Sequence, residues 1–161
     1  MDWILIVNYI DIFFFVIAAL TVLYLFIFAS AAMIDRGDKY PEVKNKHRFA
    51  IIFPAYAEDA VIVSSVTSFL KQNYPKENYD IVVVSDHMKD ETNEELSKLP
   101  IILLKATYEN SSKAKALNFA ADNLDSAKYD IAVIMDADNI TTPDFLNYIN
   151  KTYAAGSNAI Q

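Results

Sequence analysis

The chain opens with an apolar segment that is almost unbroken. Of its first 34 residues 29 are apolar, and residues 12–34 contain no charged side chain. A run of this length can cross the hydrocarbon core of a membrane, which is about 30 Å thick. The pattern therefore predicts a membrane anchor over residues 1–34, with a single transmembrane helix at about residues 12–34.

Two other interpretations of this segment are less favourable. Ala29-Ser30-Ala31 resembles a signal-peptidase site, but a signal peptide has basic residues ahead of an apolar run of about 7–15 residues. No Lys or Arg precedes this run, and the run is longer. A helix packed on a soluble core usually keeps a polar face, which this segment lacks.

The charges that flank the apolar segment predict its orientation. Residues 35–48 hold five basic and three acidic side chains, whereas no basic side chain precedes the span. Basic residues concentrate on the cytoplasmic side of membrane proteins. We therefore expect a basic juxtamembrane linker at residues 35–48 and a cytoplasmic domain after it, in a single-pass protein of the cell membrane.

Beyond residue 48, short apolar runs alternate with amphipathic segments. Continuous apolar runs separated by helical periodicity are typical of a parallel sheet covered on both faces. The pattern predicts an α/β domain over residues 49–161, in which Pro54 ends the first strand and Thr142 caps the last helix. The predicted strands are residues 49–53, 81–84, 101–104 and 131–135. The predicted helices are residues 58–71, residues 90–99, a helix that Ser111 or Ser112 caps and that runs to about residue 124, and a helix from residue 142 onward. Residues 159–161 resemble the start of a fifth strand.

Composition narrows the chemistry that such a domain can carry. The chain has no cysteine, which excludes a disulfide scaffold, a thiolate metal site and a thiol nucleophile. Its two glycines are too few for a glycine-rich nucleotide fingerprint, and its net charge of −7 argues against a nucleic-acid partner.

Polar side chains follow each predicted strand. In open α/β sheets, ligands bind at the carboxyl ends of the strands, where these side chains converge. Asp136 and Asp138 are two residues apart on an extended segment, so both carboxylates point to one side and suit Mg²⁺ or Mn²⁺. Lys113 begins a helix, where a phosphate is favoured, and Asp86 could bind a nucleotide base or ribose. Each could instead be a turn, a cap or a solvated side chain.

Taken in order, these segments resemble the motifs of family 2 glycosyltransferases with the GT-A fold. Residues 54–59 are similar to that family's Pro-x-Tyr-Asn-Glu element, and residues 81–90 resemble its strand ending in Asp-Asp-Gly-Ser-x-Asp. Residues 113–118 resemble Gly-Lys-Ala-Gly-Ala-Leu-Asn, and residues 136–138 match Asp-x-Asp. With the preceding span, the chain is similar to the N-terminal, donor-binding half of membrane-anchored, polysaccharide-synthase-like members.

The resemblance implies a Rossmann-like, mainly parallel domain that binds a nucleotide-sugar donor, a UDP-sugar, for inverting transfer to a glycan or lipid-linked acceptor. It implies that Asp138 and Asp136 hold Mg²⁺ or Mn²⁺, and that the second-strand Asp86 contacts the uridine. The donor-binding residues that it implies are Pro54, Tyr56, Glu58, Asp86, Lys113 and Asp136.

The chain departs from the family pattern at several positions. Ala57 replaces the usual Asn, Ser85 replaces the first Asp, and Ser112 and Lys115 stand where glycines are common. The family's catalytic base lies in a later Glu-Asp-type motif, which we expect beyond Gln161. We therefore expect a C-terminally incomplete GT-A region that binds a donor weakly at best and does not transfer sugar.

Two other classes of protein remain open at this point. A haloacid-dehalogenase-like phosphatase would use Asp136 as its nucleophile together with Asp138, although in that class the motif normally follows the first strand. A non-catalytic, membrane-anchored α/β module would use the same carboxylates only as caps.

Overall fold

The structure, a computed structural model, describes residues 2–33, 40 and 42–160. It divides into two units, Met1–Lys39 and Tyr40–Gln161. The predicted end of the span at Ile34, residues 35–39 and 41 of the predicted linker, and Gln161 lie outside the described residues.

The first unit contains helix α1, Trp3–Ala32, whose 30 residues reach a mean hydropathy of 2.8 over the most apolar 18-residue window. At 1.5 Å per residue the helix is about 45 Å long, which exceeds the hydrocarbon thickness of a bilayer. It begins nine residues before the predicted span, because Asn8 and Asp11 interrupt the apolar pattern without interrupting the helical backbone. By length and composition the helix can cross a membrane.

The second unit contains four parallel strands in the order β3-β2-β1-β4. These are β1 (Phe49–Tyr56), β2 (Tyr79–Asp86), β3 (Ile102–Ala106) and β4 (Ile131–Ile134). The two central strands are β1 and β2, and both are almost entirely buried. The parallel α/β fold predicted from the alternating pattern is confirmed.

Strand β1 continues two residues past Pro54, where the sequence predicts its end. The carbonyl of Ile52 accepts a hydrogen bond from the N–H of Met135 at the end of β4. The backbone N–H and C=O groups of every second residue of β1, counted from Ile52, therefore point towards β4. Pro54 faces the same way, but β4 pairs only with residues 49–52 of β1. The missing N–H of Pro54 therefore breaks no ladder hydrogen bond, and the strand tolerates the proline.

Helices cover both faces of the sheet. Helices α2 (Ile62–Phe69), α3 (Asp90–Ser97) and α5 (Phe145–Ala154) contribute Phe69, Leu96 and Leu146 to the core on one face. Helix α4, Lys113–Asn123, covers the other face with Ala116 and Ala120. Successive residues of β1 and β2 point alternately into these two cores, as the pleat requires.

Two predicted helix starts are wrong, and tertiary hydrogen bonds account for both. Helix α2 begins at residue 62 and not at 58, because Ala57 donates to the last residue of β2 and Asp59 accepts from the loop after it. Helix α5 begins at residue 145, and Thr142 is not its cap. The carbonyls of Thr142 and Pro143 accept hydrogen bonds from residues 72 and 73, which hold this backbone outside the helix.

The predicted fifth strand is also absent from the described part of the chain. Ala159 and Ile160 follow α5 as coil and pair with none of the four strands. Two residues offer too few ladder hydrogen bonds to hold a strand against solvent.

The segment before β1 is fastened to α5 by the buried side chain of Asn150. Its Oδ1 accepts from the backbone N–H of His47 at 3.0 Å and lies 3.1 Å from the Tyr74 hydroxyl, while its Nδ2 donates to the Asn45 carbonyl at 2.9 Å. Burial, with a smaller effect of the Asp130 charge, raises the pKa of Tyr74 to about 12. The Tyr74 phenol therefore stays neutral across the physiological pH range.

We expect Asn150→Ala to lower the free energy of unfolding of the second unit by about 2 kcal/mol, because it leaves buried hydrogen-bonding groups without a partner. Urea unfolding of the full chain in detergent measures the change. Asn147→Ala is the matched control on the same helix, since its amide bonds to Lys46 and the Asn73 carbonyl at a more exposed place. A loss no larger than that of the control would contradict a fastening role for Asn150.

Candidate functional site

A cleft of about 470 Å³ opens at the carboxyl ends of β1 and β2, beside the start of α4. It is lined by the end of β1, by Asp86 and by the segment that leads into α4. The lining residues are Pro54, Ala55, Tyr56, Asp86, Glu109, Asn110, Ser111, Ser112, Lys113 and Ala116. Four residues predicted from the sequence are thus brought together here, namely Pro54, Tyr56, Asp86 and Lys113.

Asp86 is a buried carboxylate in the wall of this cleft, with 3% of its surface exposed. Burial by itself raises the pKa of Asp86, but hydrogen bonds from Ser111, His87 and the backbone N–H of Tyr108 outweigh it, and the net pKa is lowered. Asp86 is therefore ionised at neutral pH. A buried carboxylate of this kind can accept a hydrogen bond from a ligand.

The chain turns sharply directly after both central strands. Tyr56 and Asp86 are paired across β1 and β2, and each is followed by a residue in the left-handed region, Ala57 (φ 52°) and His87 (φ 55°). The N–H of Ala57 donates to the Asp86 carbonyl at 3.0 Å. Left-handed backbone costs a residue with a Cβ roughly 1–2 kcal/mol. Such strain is concentrated at functional sites, which agrees with the position of the cleft.

The segment between β3 and α4 forms the wall of the cleft that sequence reasoning missed. Glu109 and Asn110 line the cleft beside Ser111 and Ser112. The hydroxyl of Ser112 accepts from the N–H of Lys115 at 3.2 Å, so of the two serines it is Ser112 that caps α4. The Lys115 ammonium bonds to the Asn110 carbonyl at 2.5 Å and lies over the Tyr108 ring. Only the position of this segment could have indicated its role, because it follows a strand that ends at the same edge of the sheet.

An ion pair joins the cleft to the end of β4. The Nζ of Lys113 lies 2.5 Å from Oδ1 of Asp136, and the two side chains are 54% and 61% exposed. An exposed pair of this kind contributes about 0–1 kcal/mol. Either partner can therefore exchange the other for a ligand at little cost.

Asp136 and Asp138 are both exposed, and Ala137 between them is buried. The N–H of Asn139 bonds to the Asp136 carbonyl at 3.1 Å, so the segment turns here. Within residues 2–33, 40 and 42–160, no group of three or more His, Asp and Glu side chains could hold a metal ion. Two hard carboxylates suit Mg²⁺ or Mn²⁺ only as part of a ligand set that the substrate phosphates complete.

Glu58 lies outside the cleft lining, with an exposed side chain. Its backbone N–H lies 3.1 Å from the Met88 sulfur, and the neighbouring Asp59 carboxylate accepts from the N–H of Lys89 at 2.9 Å and the Thr92 hydroxyl at 2.6 Å. The hydrogen bonds from Thr92 and Lys89 lower the pKa of Asp59. This segment thus ties the loop after β1 to the start of α3.

The chain belongs to glycosyl transferase family 2, whose profile matches residues 50–160. This confirms the family and the GT-A-like fold class predicted from the sequence, and it favours a glycosyltransferase over the phosphatase alternative.

Among its curated relatives is a probable glycosyltransferase, YdaM, from Bacillus subtilis (strain 168). It is 28% identical over 111 residues, which cover 63% of this chain and 25% of the relative. A dolichyl N-acetyl-α-D-glucosaminyl phosphate 3-β-D-2,3-diacetamido-2,3-dideoxy-β-D-glucuronosyltransferase from Methanococcus voltae is 28% identical over 109 residues, or 65% of this chain and 33% of the relative. The chain thus spans a quarter to a third of the length of these relatives.

Solved structures give the same fold. The mannosyltransferase PcManGT from Pyrobaculum calidifontis, in complex with GDP-Man and Mn²⁺, superposes with a TM-score of 0.61 at 22% identity, covering 83% of this chain and 40% of that one. S. aureus TarS 1–349 in complex with UDP-GlcNAc gives a TM-score of 0.53 at 26% identity, covering 67% of this chain and 30% of that one. At its lower identity, the likeness to the mannosyltransferase concerns the fold alone.

Proposed function

We propose that the second unit binds the nucleoside diphosphate of a nucleotide-sugar donor, a UDP-sugar, and that it is the donor-binding part of an inverting glycosyltransferase. The observation that carries the proposal is the cleft that brings Tyr56, Asp86 and Lys113 together from three separate elements. These three side chains supply an aromatic face, a hydrogen-bond acceptor and a cation, which suit a nucleobase and a phosphate. Family membership and the UDP-GlcNAc complex of TarS support the same class of donor.

The phosphates would lie towards the start of α4. The N-terminus of this helix favours an anion, and Lys113 adds a full positive charge there. Asp136 and Asp138 would hold Mg²⁺ or Mn²⁺ together with the phosphate oxygens. When bound, the ion neutralises the charge that develops on the leaving nucleoside diphosphate. Lys113 can then exchange Asp136 for a phosphate oxygen, since the ion pair is exposed and weak.

The reaction would be direct attack by an acceptor hydroxyl on the anomeric carbon, with inversion and departure of the nucleoside diphosphate. A glycan or lipid-linked acceptor agrees with an apolar N-terminal helix that can anchor the chain in a membrane. We propose a cytoplasmic position for the α/β unit on the charge asymmetry around that helix. We assign the base that accepts the proton of the hydroxyl to none of the described residues, so the proposal for this chain is donor binding.

The test is the thermal stability of the full chain in detergent, followed by circular dichroism, with UDP and Mn²⁺. At a UDP concentration about ten times Kd, binding stabilises the folded state by about 1.4 kcal/mol, which corresponds to a rise in Tm of about 3–6 °C. UDP with a chelator in place of Mn²⁺ is the control for metal dependence. We expect a smaller rise in that control.

Each contrary result points to a defined alternative. No rise with either UDP or GDP at millimolar Mn²⁺ would support a non-catalytic module. A rise with GDP alone would keep the donor class and overturn the choice of uridine. Hydrolysis of a phosphomonoester that Asp136→Ala abolishes would favour the phosphatase.

A further inference from the structure

His87 is hydrogen-bonded to the buried carboxylate of the cleft, although it is not itself a lining residue. Its Nδ1 lies 2.6 Å from Oδ1 of Asp86, and its ring lies 5.4 Å from the ring of Tyr56, which lines the cleft. Its left-handed backbone turns the side chain back beside the residue that precedes it. The imidazole thus contacts both the acceptor and the aromatic side chain of the cleft.

The chemistry of this contact defines the state of the ring. An ionised carboxylate only accepts hydrogen bonds, so a ring nitrogen 2.6 Å from it must carry a proton. His87 therefore donates from Nδ1 whether the ring is neutral or charged. This tautomer leaves Nε2 of the neutral ring as an acceptor.

The donors around Asp86 leave acceptor capacity for a ligand. A carboxylate offers about four lone-pair sites. His87 uses one of them at 2.6 Å, and Ser111 and the backbone N–H of Tyr108 also lower the pKa of the carboxyl. A site thus remains for a ligand, and its direction depends on how His87 holds the carboxylate.

We propose that His87 is a positioning residue for the nucleobase: it holds the Asp86 carboxylate so that its remaining acceptor site faces the cleft, and it supports the Tyr56 ring beside that site. The inference rests on the proposed function, since it requires a nucleotide in this cleft. The ligand that it predicts is a nucleobase with an N–H donor, as in uracil.

The conformation of His87 allows a test that separates positioning from folding. Glycine adopts the left-handed backbone without strain, so His87→Gly removes the donor while relieving the backbone. Asparagine also tolerates this region, and its side-chain amide can donate to Asp86, so His87→Asn restores the donor. Ala57→Gly is the matched control, because it relieves the same strain on β1 without removing a donor.

The experiment measures UDP binding to the full chain in detergent with Mn²⁺ by calorimetry, for the wild type and the three variants. We expect His87→Gly to raise Kd about tenfold, His87→Asn to stay within about threefold of wild type, and Ala57→Gly within about twofold. All Tm values should stay within about 4 °C of wild type, because strain relief offsets the lost hydrogen bond in His87→Gly and the other two variants lose no donor.

A second readout is the protonation state of Nδ1 of His87. The chain has two histidines, so ¹⁵N-histidine labelling with His87→Asn assigns the signals. We expect Nδ1 of His87 to be protonated before and after UDP is added. An unprotonated Nδ1, or tight UDP binding by His87→Gly, would overturn the inference while leaving the proposed function in place. Absence of UDP binding to the wild type would instead overturn the proposed function, and this inference with it.

Discussion

Replacing Asp86 with asparagine is expected to weaken UDP binding to the full chain by about 100-fold. The carboxylate is the one buried acidic side chain among the residues that line the cleft, and a hydrogen bond to a charged acceptor contributes about 1.5–3 kcal/mol. Asparagine keeps the volume and one acceptor oxygen, whereas alanine would leave the His87 donor without a partner. Calorimetric titration with UDP and Mn²⁺ measures the change in Kd.

Asp80 supplies the matched control for this variant. It lies near the start of β2, at the other end of the same strand, and its carboxylate accepts from Lys128 and from the Tyr129 hydroxyl. Asp80→Asn removes a hydrogen-bonded carboxylate from β2 without touching the cleft, so UDP affinity should not change. Equal losses in the two variants would show that stability of the strand, and not the acceptor in the cleft, governs binding.

Asp86→Asn should also change how the free energy of unfolding depends on pH in acid. Because the pKa of Asp86 is lowered in the folded state, its ionised form stabilises the fold above the ordinary aspartate pKa of about 4. That contribution is lost as the pH falls through the lower, folded-state pKa. Between about pH 5 and pH 3, the free energy of unfolding should therefore fall less in Asp86→Asn than in wild type.

The second large effect is expected when Asp136 and Asp138 are both replaced by asparagine. Loss of two anionic oxygen ligands removes the hard donors that Mg²⁺ and Mn²⁺ require. We expect the affinity for UDP in Mn²⁺ to fall about 100-fold, to the level that wild type shows with a chelator. In the chelator itself, wild type and variant should bind UDP alike, since Lys113 remains available to the phosphates.

Asp144→Asn is the control for this double variant. Asp144 is an exposed aspartate in the same connection between β4 and α5, where it accepts from the side chains of Asn73 and Asn147. Its replacement should leave the effect of Mn²⁺ unchanged. A double variant that still binds UDP more tightly in Mn²⁺ would place the metal ligands elsewhere in the chain.

Much of this architecture follows from patterns that a sequence carries locally. The apolar runs predict four parallel strands, and their polar ends predict the edge at which Asp86 and Lys113 meet. The predicted bounds are wrong where contacts between residues far apart in the chain determine the local structure. Pro54 is tolerated because its neighbour β4 is short. Residues 58 and 142 lie outside helices because of hydrogen bonds from other elements. The N–H of Lys89 donates to Asp59, and the side chain of Gln72 donates to the carbonyl of Thr142.

The residues of the cleft also divide into those that the sequence predicts and those that only tertiary contacts bring there. Lys113 and Asp136 are far apart in the chain, and the sequence gives no direct sign that they form an ion pair. Glu109 and Asn110 match no motif, so only the path of the chain from β3 to α4 brings them to the cleft. The contact of His87 with Asp86 depends on a left-handed backbone angle that residue type alone does not reveal.

The two loops that follow β1 and β2 are cross-linked by hydrogen bonds at three successive places. Ala57 donates to the Asp86 carbonyl, the N–H of Glu58 faces the Met88 sulfur, and the N–H of Lys89 donates to the Asp59 carboxylate. The loops therefore lose their conformational freedom once, when the domain folds. A molecule that enters beside them does not have to order them again, so this rim is preorganised for binding.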